Sequence, residues 1–272
     1  MTTYPNCKIN LGLYVVGKRP DGYHDLETIF LPVHEMHDEL EINPLITHHS
    51  SLITQEGITL DNAPEDNLCM RAWRLLHDEF GIPAVSIRLK KGIPFGAGLG
   101  GGSSDAAFTL KMLNEMFGLS LTDSQLEQRA ARLGADCAFF IDPQPQYAEG
   151  IGELLTPVSL SLKDWYIGVV RPDVPVSTKE AYSLITPKRP LQNCRDIVAL
   201  PVEEWRDQLV NDFEEGIFSL HPELGQVKQR LYDLGAVYAA MSGSGSALFG
   251  LFREPVELEA SFPNTFTWSS RL

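Results

Sequence analysis

The sequence predicts an α+β protein of two domains, on three observations. A chain of 272 residues is long enough to bury one large core or two smaller ones, and two are preferred here. Short runs that alternate apolar and polar residues are interleaved with longer runs of 3.6-residue period, so strands and helices mix. The run Pro143-Gln144-Pro145 breaks the chain near its middle, which divides it into an N-terminal domain, 1–145, and a C-terminal domain, 146–272.

The elements follow in order. Residues 7–16 read as a strand, with Ile9, Leu11, Leu13 and Val15 on one parity and Lys8 and Asn10 on the other. Residues 17–22 form a turn by composition, Tyr23-His24-Asp25 sits at its edge, and residues 26–33 are a second apolar stretch. Shorter strand candidates lie at 40–42, 51–54 and 57–60. Asp66-Asn67 caps a helix whose apolar positions Leu68, Ala72, Leu75, Leu76 and Phe80 keep the helical period until Gly81 and Pro83. Val85, Ile87 and Leu89 alternate with Ser86, Arg88 and Lys90, a strand that leads into a glycine loop. A helix follows, with Ser103, Ser104 and Asp105 as its opening residues, and Gly118 closes it.

Thr122 and Gln125 make a capping box for the next helix, which stops at Gly134. Asp136 then leads into the apolar run Cys137-Ala138-Phe139-Phe140-Ile141, where a carboxylate is partly desolvated. Beyond the break, a strand over 165–170, a helix capped by Ser177 or Thr178, and helices over 205–218 and 222–234 are expected. The turn Met241-Ser242-Gly243-Ser244-Gly245-Ser246 runs into a strand, and the tail, 265–272, is read as a returning edge strand.

Composition narrows the function. A formal net charge of −14 with no basic patch argues against nucleic acid as the main partner. The four cysteines, Cys7, Cys69, Cys137 and Cys194, contain no C-x-x-C pair, so neither a zinc site nor a disulfide framework is expected and a reducing cytoplasm fits. The amino end has no basic and apolar signal pattern, and no apolar run approaches the ~18 residues of a membrane span. No membrane association is expected.

The stretch Pro94-Phe95-Gly96-Ala97-Gly98-Leu99-Gly100-Gly101-Gly102-Ser103-Ser104-Asp105-Ala106-Ala107 holds five glycines in seven residues and opens a helix. Glycines uncover backbone amides, and a helix amino end favours an anion, usually phosphate. Gly96-Ala97-Gly98-Leu99-Gly100-Gly101 satisfies G-x-G-x-x-G, but the strand before it alternates instead of being continuously apolar. The acid about 20 residues on, Asp123, sits at a helix start, so the dinucleotide reading is weak. A P-loop fails because Ser103 follows Gly102, and the H-R-D and D-F-G strings of a protein kinase are absent from the sequence. What remains is a distinct phosphate cradle.

Further segments stand beside that cradle: Lys8-Ile9-Asn10-Leu11, Arg19-Pro20-Asp21-Gly22-Tyr23-His24-Asp25-Leu26, Gly134-Ala135-Asp136 before Phe139-Phe140, Gly150-Ile151-Gly152-Glu153, Asn211-Asp212-Phe213-Glu214 and the turn 241–246. With them the chain, over nearly its whole length, resembles the superfamily of galactokinase, homoserine kinase, mevalonate kinase and phosphomevalonate kinase. The match is close to a branch that uses ATP to phosphorylate the 2-hydroxyl of a cytidine-diphosphate-linked methylerythritol, in isoprenoid precursor biosynthesis. The resemblance implies a two-lobed small-molecule kinase fold, with a ribosomal-protein-S5-like ATP-binding lobe and a ferredoxin-like (α/β plait) second lobe. It also implies a left-handed crossover beside the phosphate loop.

By the same resemblance Asp136 is the general base and Lys8 its catalytic partner. Pro94, Gly96, Ala97, Gly98, Leu99, Gly100, Gly101, Gly102, Ser103 and Ser104 grip ATP, with Asn67 and Lys91 on the nucleotide side. Asn10, Tyr23, His24, Thr178 and Tyr182 hold the substrate. An aromatic face with hydrogen-bonding edges is what reading a cytosine requires. Mg²⁺ is implied as cofactor with its ligands left unassigned, and a monomer or homodimer is expected. Cys7, Ala138 and Glu149 depart from the usual pattern, while the lysine and aspartate do not. Two alternatives stay open: a sister alcohol kinase of mevalonate or homoserine type, and an inactive nucleotide-binding sensor on the same scaffold.

Overall fold

Two long strands stand near the amino end. After the two-residue β1 (Thr2–Thr3), the chain forms β2 (Asn6–Lys18) and β3 (His24–His37). The computed structural model describes residues 1–45, 52–58 and 66–272. These divide into two units that interleave in sequence. The first comprises Met1–Cys7, Pro32–Phe95 and Gly100–Pro143, the second Lys8–Leu31, Gly96–Leu99 and Gln144–Leu272, so the last crossing falls at Pro143.

In the first unit β4 (Glu39–Pro44), β5 (Leu52–Gly57) and β6 (Val85–Lys91) join β1 in a sheet of order β1-β4-β6-β5. β4 is antiparallel and β5 parallel to β6. Alternation along β6 works as the sequence predicts: Val85, Ile87 and Leu89 are buried, while Arg88 and Lys90 face outward to Glu39, Glu41 and Glu56. Of the short runs read as strands, Ser51, Thr59 and Leu60 lie outside the described residues.

Helix α1 (Leu68–Phe80) is capped by Asn67, whose side-chain oxygen accepts from Cys69 N, and closes on Gly81 in the left-handed conformation. Its buried face is Cys69, Met70, Ala72, Trp73 and Leu76, so Leu75 and Phe80 turn out less buried than the period suggests. Helix α2 (Gly101–Met116) starts earlier than the serines. Gly100, at φ 73°, takes the N-cap position that Ser103 would otherwise fill, which places Ser103 and Ser104 inside the first turn. Helix α3 (Asp123–Ala131) carries the full capping box of Thr122 and Gln125, and a 3₁₀ turn, Ala135–Phe140, follows.

The second unit holds two sheets. One, of order β2-β3-β7-β8, adds β7 (Gln146–Glu149) and β8 (Leu154–Pro157). The strand read at 7–16 is longer than expected and buried on both parities from Asn6 to Val15. The other sheet contains β9 (Tyr166–Arg171), β10 (Tyr238–Met241), β11 (Leu248–Phe252) and β12 (Phe266–Arg271) in the order β10-β11-β9-β12, antiparallel throughout. That order is the plait's, and β12 is the predicted edge strand. Between β11 and β12 turns stand where a plait has its second helix.

Helices α4 (Thr178–Ser183), α5 (Cys194–Val198), α6 (Phe213–Leu220) and α7 (Pro222–Asp233) complete the unit. Ala181, Phe213, Ile217, Leu224 and Leu231 pack with Val170, Ala239 and Leu248 of the sheet in one apolar cluster. The helix expected over 205–218 exists only from Phe213. Its first half is drawn out because Leu13 N donates to Val210 O at 2.9 Å and Asp212 N to Leu13 O at 2.8 Å, bonds that replace helical ones. No helix among the described residues is long and apolar enough to cross a membrane.

Replacing Thr122 with Ala removes an acceptor from the first turn of α3. An N-cap of this kind contributes about 1 kcal/mol, so the Thr122→Ala protein should unfold at lower urea with an unchanged m-value.

Candidate active site

In the second unit Lys8 and Asn10, two residues apart on β2, share a face. The Lys8 ammonium donates to Asn10 Oδ1 at 2.6 Å and to Gly98 O at 3.0 Å, and lies 5.0 Å from the centroid of the Phe30 ring. Asn10 Nδ2 donates to Thr28 Oγ1 at 3.0 Å, and that hydroxyl donates onward to Gly12 O at 2.5 Å. This relay satisfies the buried polar groups on that face of β2.

The loop segment Gly96–Leu99 is pinned by its carbonyls. Ser242 Oγ donates to Gly98 O at 2.9 Å, Lys8 N to Leu99 O at 2.9 Å and Ala247 N to Ala97 O at 3.2 Å. At Gly98, φ is 76° and a Cβ would come within 1.9 Å of Ser242 O. Only glycine fits there. The glycine-serine turn, marked in the sequence as a turn, is therefore the mould against which the glycine loop segment Gly96–Leu99 lies.

His24 opens β3 and stacks on Tyr182 with ring centroids 4.8 Å apart and planes 21° from parallel. Tyr182 meets Phe213 edge-on at 4.9 Å. Tyr23, adjacent in sequence, is 61 % exposed. The structure thus gives His24 its ring partner from α4 and leaves Tyr23 projecting into solvent. Thr178 and Tyr182, four residues apart, lie on one face of α4, and Thr178 Oγ1 is 3.4 Å from Ser244 Oγ. Ser177, not Thr178, is the cap, accepting from Glu180 N.

In the first unit the loop ends at Gly100, and α2 opens with no side-chain cap. First-turn amides of a helix have no intrahelical acceptor, and the positive end of the helix dipole stands behind those of α2. Ser104 Oγ is buried in that turn and makes no hydrogen bond among the described residues. Pro94 is buried just before the loop. Asp136 is half-buried in the 3₁₀ turn, with Cys137, Ala138, Phe139 and Phe140 buried after it. Burial pushes the Cys69 and Cys137 thiols up, the latter to about 12, which removes thiolate chemistry at neutral pH.

Two residues expected on the nucleotide side are occupied otherwise. Asn67 is buried and caps α1. Lys91 has an ammonium only 1 % exposed that pairs with Asp105 Oδ2 at 2.7 Å and with Asp38 Oδ2. Asp38 is itself fixed by the amides of Gly92 and Ile93 at 2.7 and 2.8 Å. Lys91 is therefore an interior cation under the first turns of α2. Sequence separation hid this: Asp38 is 53 residues from Lys91. Thr28 and Ser242 also escaped notice as supports, Thr28 with no local signal at all.

Comparison with known proteins defines the class first. Residues 67–142 match the model of the GHMP kinases N terminal domain and residues 197–262 that of the GHMP kinases C terminal domain. An enzyme of Parabacteroides distasonis called 4-diphosphocytidyl-2-C-methyl-D-erythritol kinase is 49 % identical over 274 aligned residues, covering 100 % of both chains. One of that name from Bacteroides thetaiotaomicron is 52 % identical over 97 % of this chain and 95 % of its own. A crystal structure of 4-(cytidine 5'-diphospho)-2C-methyl-D-erythritol kinase superposes with a TM-score of 0.80 at 33 % identity, over 99 % of this chain and 98 % of that one. The chain belongs to the 4-diphosphocytidyl-2-C-methyl-D-erythritol kinase family of GHMP kinases.

The buried ion cluster makes stability depend on pH. Burial pushes the Asp105 carboxyl up; the Lys91 ammonium opposes this, the Asp38 charge adds to it, and the net direction is upward. A carboxyl raised above its unfolded value, about 4, keeps a proton in the folded chain that the unfolded chain has released. Its contribution is complete below about pH 4 and is lost as pH rises through the raised value. Urea midpoints at about pH 5 and about pH 8 should show wild type losing stability across that window and Asp105→Asn losing less. Lys91→Met, which strands the Asp38 carboxylate, should cost about 3–5 kcal/mol.

Proposed function

We propose that this chain transfers the γ-phosphoryl group of ATP to the 2-hydroxyl of 4-(cytidine 5'-diphospho)-2-C-methyl-D-erythritol, a step of the non-mevalonate route to isoprenoid precursors. The observation that carries the reading is the uncapped amide end of α2 opening directly from the glycine loop. Supporting it is identity of about half over the full length to enzymes of that name.

Transfer to an alcohol needs the triphosphate held in line, its charge countered, and a destination for the hydroxyl proton. Residues 96–104 supply the grip through backbone amides, which present donors without the reorganisation that side chains require. Asp136 accepts the proton of the 2-hydroxyl. Lys8, held by Asn10 and Gly98 O, supplies the fixed positive charge that opposes the negative charge gathering on the transferring group. Asn10 and Thr178 hold the erythritol hydroxyls, and Tyr23, His24 and Tyr182 read the cytosine by ring face and polar edge.

Mg²⁺ fits this residue set. Among the described residues no group of three or more His, Cys, Asp or Glu side chains could hold a metal ion, and Mg²⁺ bound to a triphosphate takes most of its six oxygens from phosphate and water. Ser104 Oγ, buried and unpartnered in the first turn of α2, is the oxygen the chain would add. Bound there, the ion would neutralise phosphate charge. All four cysteines are buried free thiols, which suits work in a reducing cytoplasm.

The test is ATP consumption with the cytidylyl substrate against mevalonate and homoserine at varied Mg²⁺. Turnover of the first is expected, and ATP binding without any turnover would support a sensor instead. Asp136→Asn should lower kcat about 10²- to 10⁴-fold with KM for ATP little changed. Tyr23→Ala should raise KM for the cytidylyl substrate about tenfold, the size of a lost base-stacking contact.

A further inference from the structure

The sequence segment Asn211-Asp212-Phe213-Glu214 has no role in the chemistry above, yet its side chains are committed to it. Asn211 is buried. Its Nδ2 donates to Met241 O and to Gly243 O, both at 2.8 Å, while its Oδ1 accepts from Phe213 N at 3.0 Å. Two carbonyls facing one end and an amide facing the other fix the orientation of the side chain. Its backbone is spliced to β2: Asn211 bridges Leu13, and Val15 N donates to Asp212 Oδ2 at 2.8 Å. Glu214 grips the same turn from another side, accepting from Met241 N at 2.7 Å and from Lys228 Nζ at 2.6 Å.

We infer that Asn211 is a positioning residue for phosphoryl transfer, one that locks the strand carrying Lys8 to the turn that holds Gly98 O. The path is short. Asn211 straddles Ser242 by bonding the carbonyls on either side of it, and Ser242 Oγ then donates to the same Gly98 oxygen that receives the Lys8 ammonium. Gly98 lies flush against the turn, with no space between them, since a Cβ would already collide with Ser242 O. Any shift of the turn therefore moves the loop carbonyl and the ammonium together, and an ångström of displacement at a reacting centre costs up to about 10²-fold in rate. The inference rests on the kinase reading for its consequence, but not for its geometry.

Asn211→Asp keeps the acceptor for Phe213 N and replaces both donated bonds with an oxygen facing two carbonyls. Ser242→Ala removes the bond to Gly98 and leaves Asn211 intact. In both variants kcat should fall about 10- to 100-fold with KM for the cytidylyl substrate within about twofold of wild type, because the cytosine readers are untouched; a purely structural role would lower the melting temperature and leave kcat of the folded protein unchanged. Independently of activity, hydrogen exchange at the Lys8 and Ala247 amides, which donate to Leu99 O and Ala97 O, should accelerate while the β9–β11 ladder stays protected. Wild-type kcat together with wild-type exchange at those amides would overturn the inference. If Asn211→Asp does not fold, Ser242→Ala decides by the same two readouts. A wild-type protein that fails to turn over the cytidylyl substrate would remove the proposed function, and the exchange measurement would still decide the lock.

Discussion

The contact between the Gly98 backbone and the glycine-serine turn is the constraint on which the rest of the candidate site depends. One carbonyl oxygen takes two donors, the Lys8 ammonium and the Ser242 hydroxyl. That shared acceptor requires two backbones to touch, and touching backbones require a residue without a Cβ. Three segments far apart in sequence are thereby fixed against one another: the start of β2, the phosphate loop and the turn after β10. Lys8 owes its position to this junction as much as to its strand.

A second constraint sits under α2. Lys91, Asp38 and Asp105 are almost completely enclosed, an arrangement that gains little net stability over apolar packing but penalises any change that leaves one member alone. Its value lies in uniqueness of placement: Asp38 reads the amides of Gly92 and Ile93, Asp105 belongs to α2, and Lys91 joins them at the last residue of β6. The helix start therefore has one register relative to the strand that feeds it.

What the sequence revealed was whatever local rules govern. The caps of α1 and α3, the alternation of β6 and the order strand, glycine loop, helix were all legible, because each is decided within a few residues by period, capping or glycine. The returning strand β12 and the plait order agree with the family resemblance. Partnerships at long range were not legible. Lys91 looked like a strand cation near a phosphate loop, since nothing near it announces Asp38. The helix drawn over 205–218 lost its first half to bonds with Leu13, nearly two hundred residues earlier. For the candidate site, motif spacing marked the glycine loop between strand and helix, while the residues that steady it, Thr28, Ser242 and Asn211, became visible only through their hydrogen bonds.

Interleaving of the two units has a consequence for how the chain acquires its structure. The second unit needs β2 and residues 209–252, which lie nearly two hundred positions apart, to meet. Closing such a span costs entropy that grows with the logarithm of its length. The first unit draws nearly all its residues from the interval between. Folding of that interval into one compact unit shortens the loop that must close between the turn after β10 and the strand that carries Lys8.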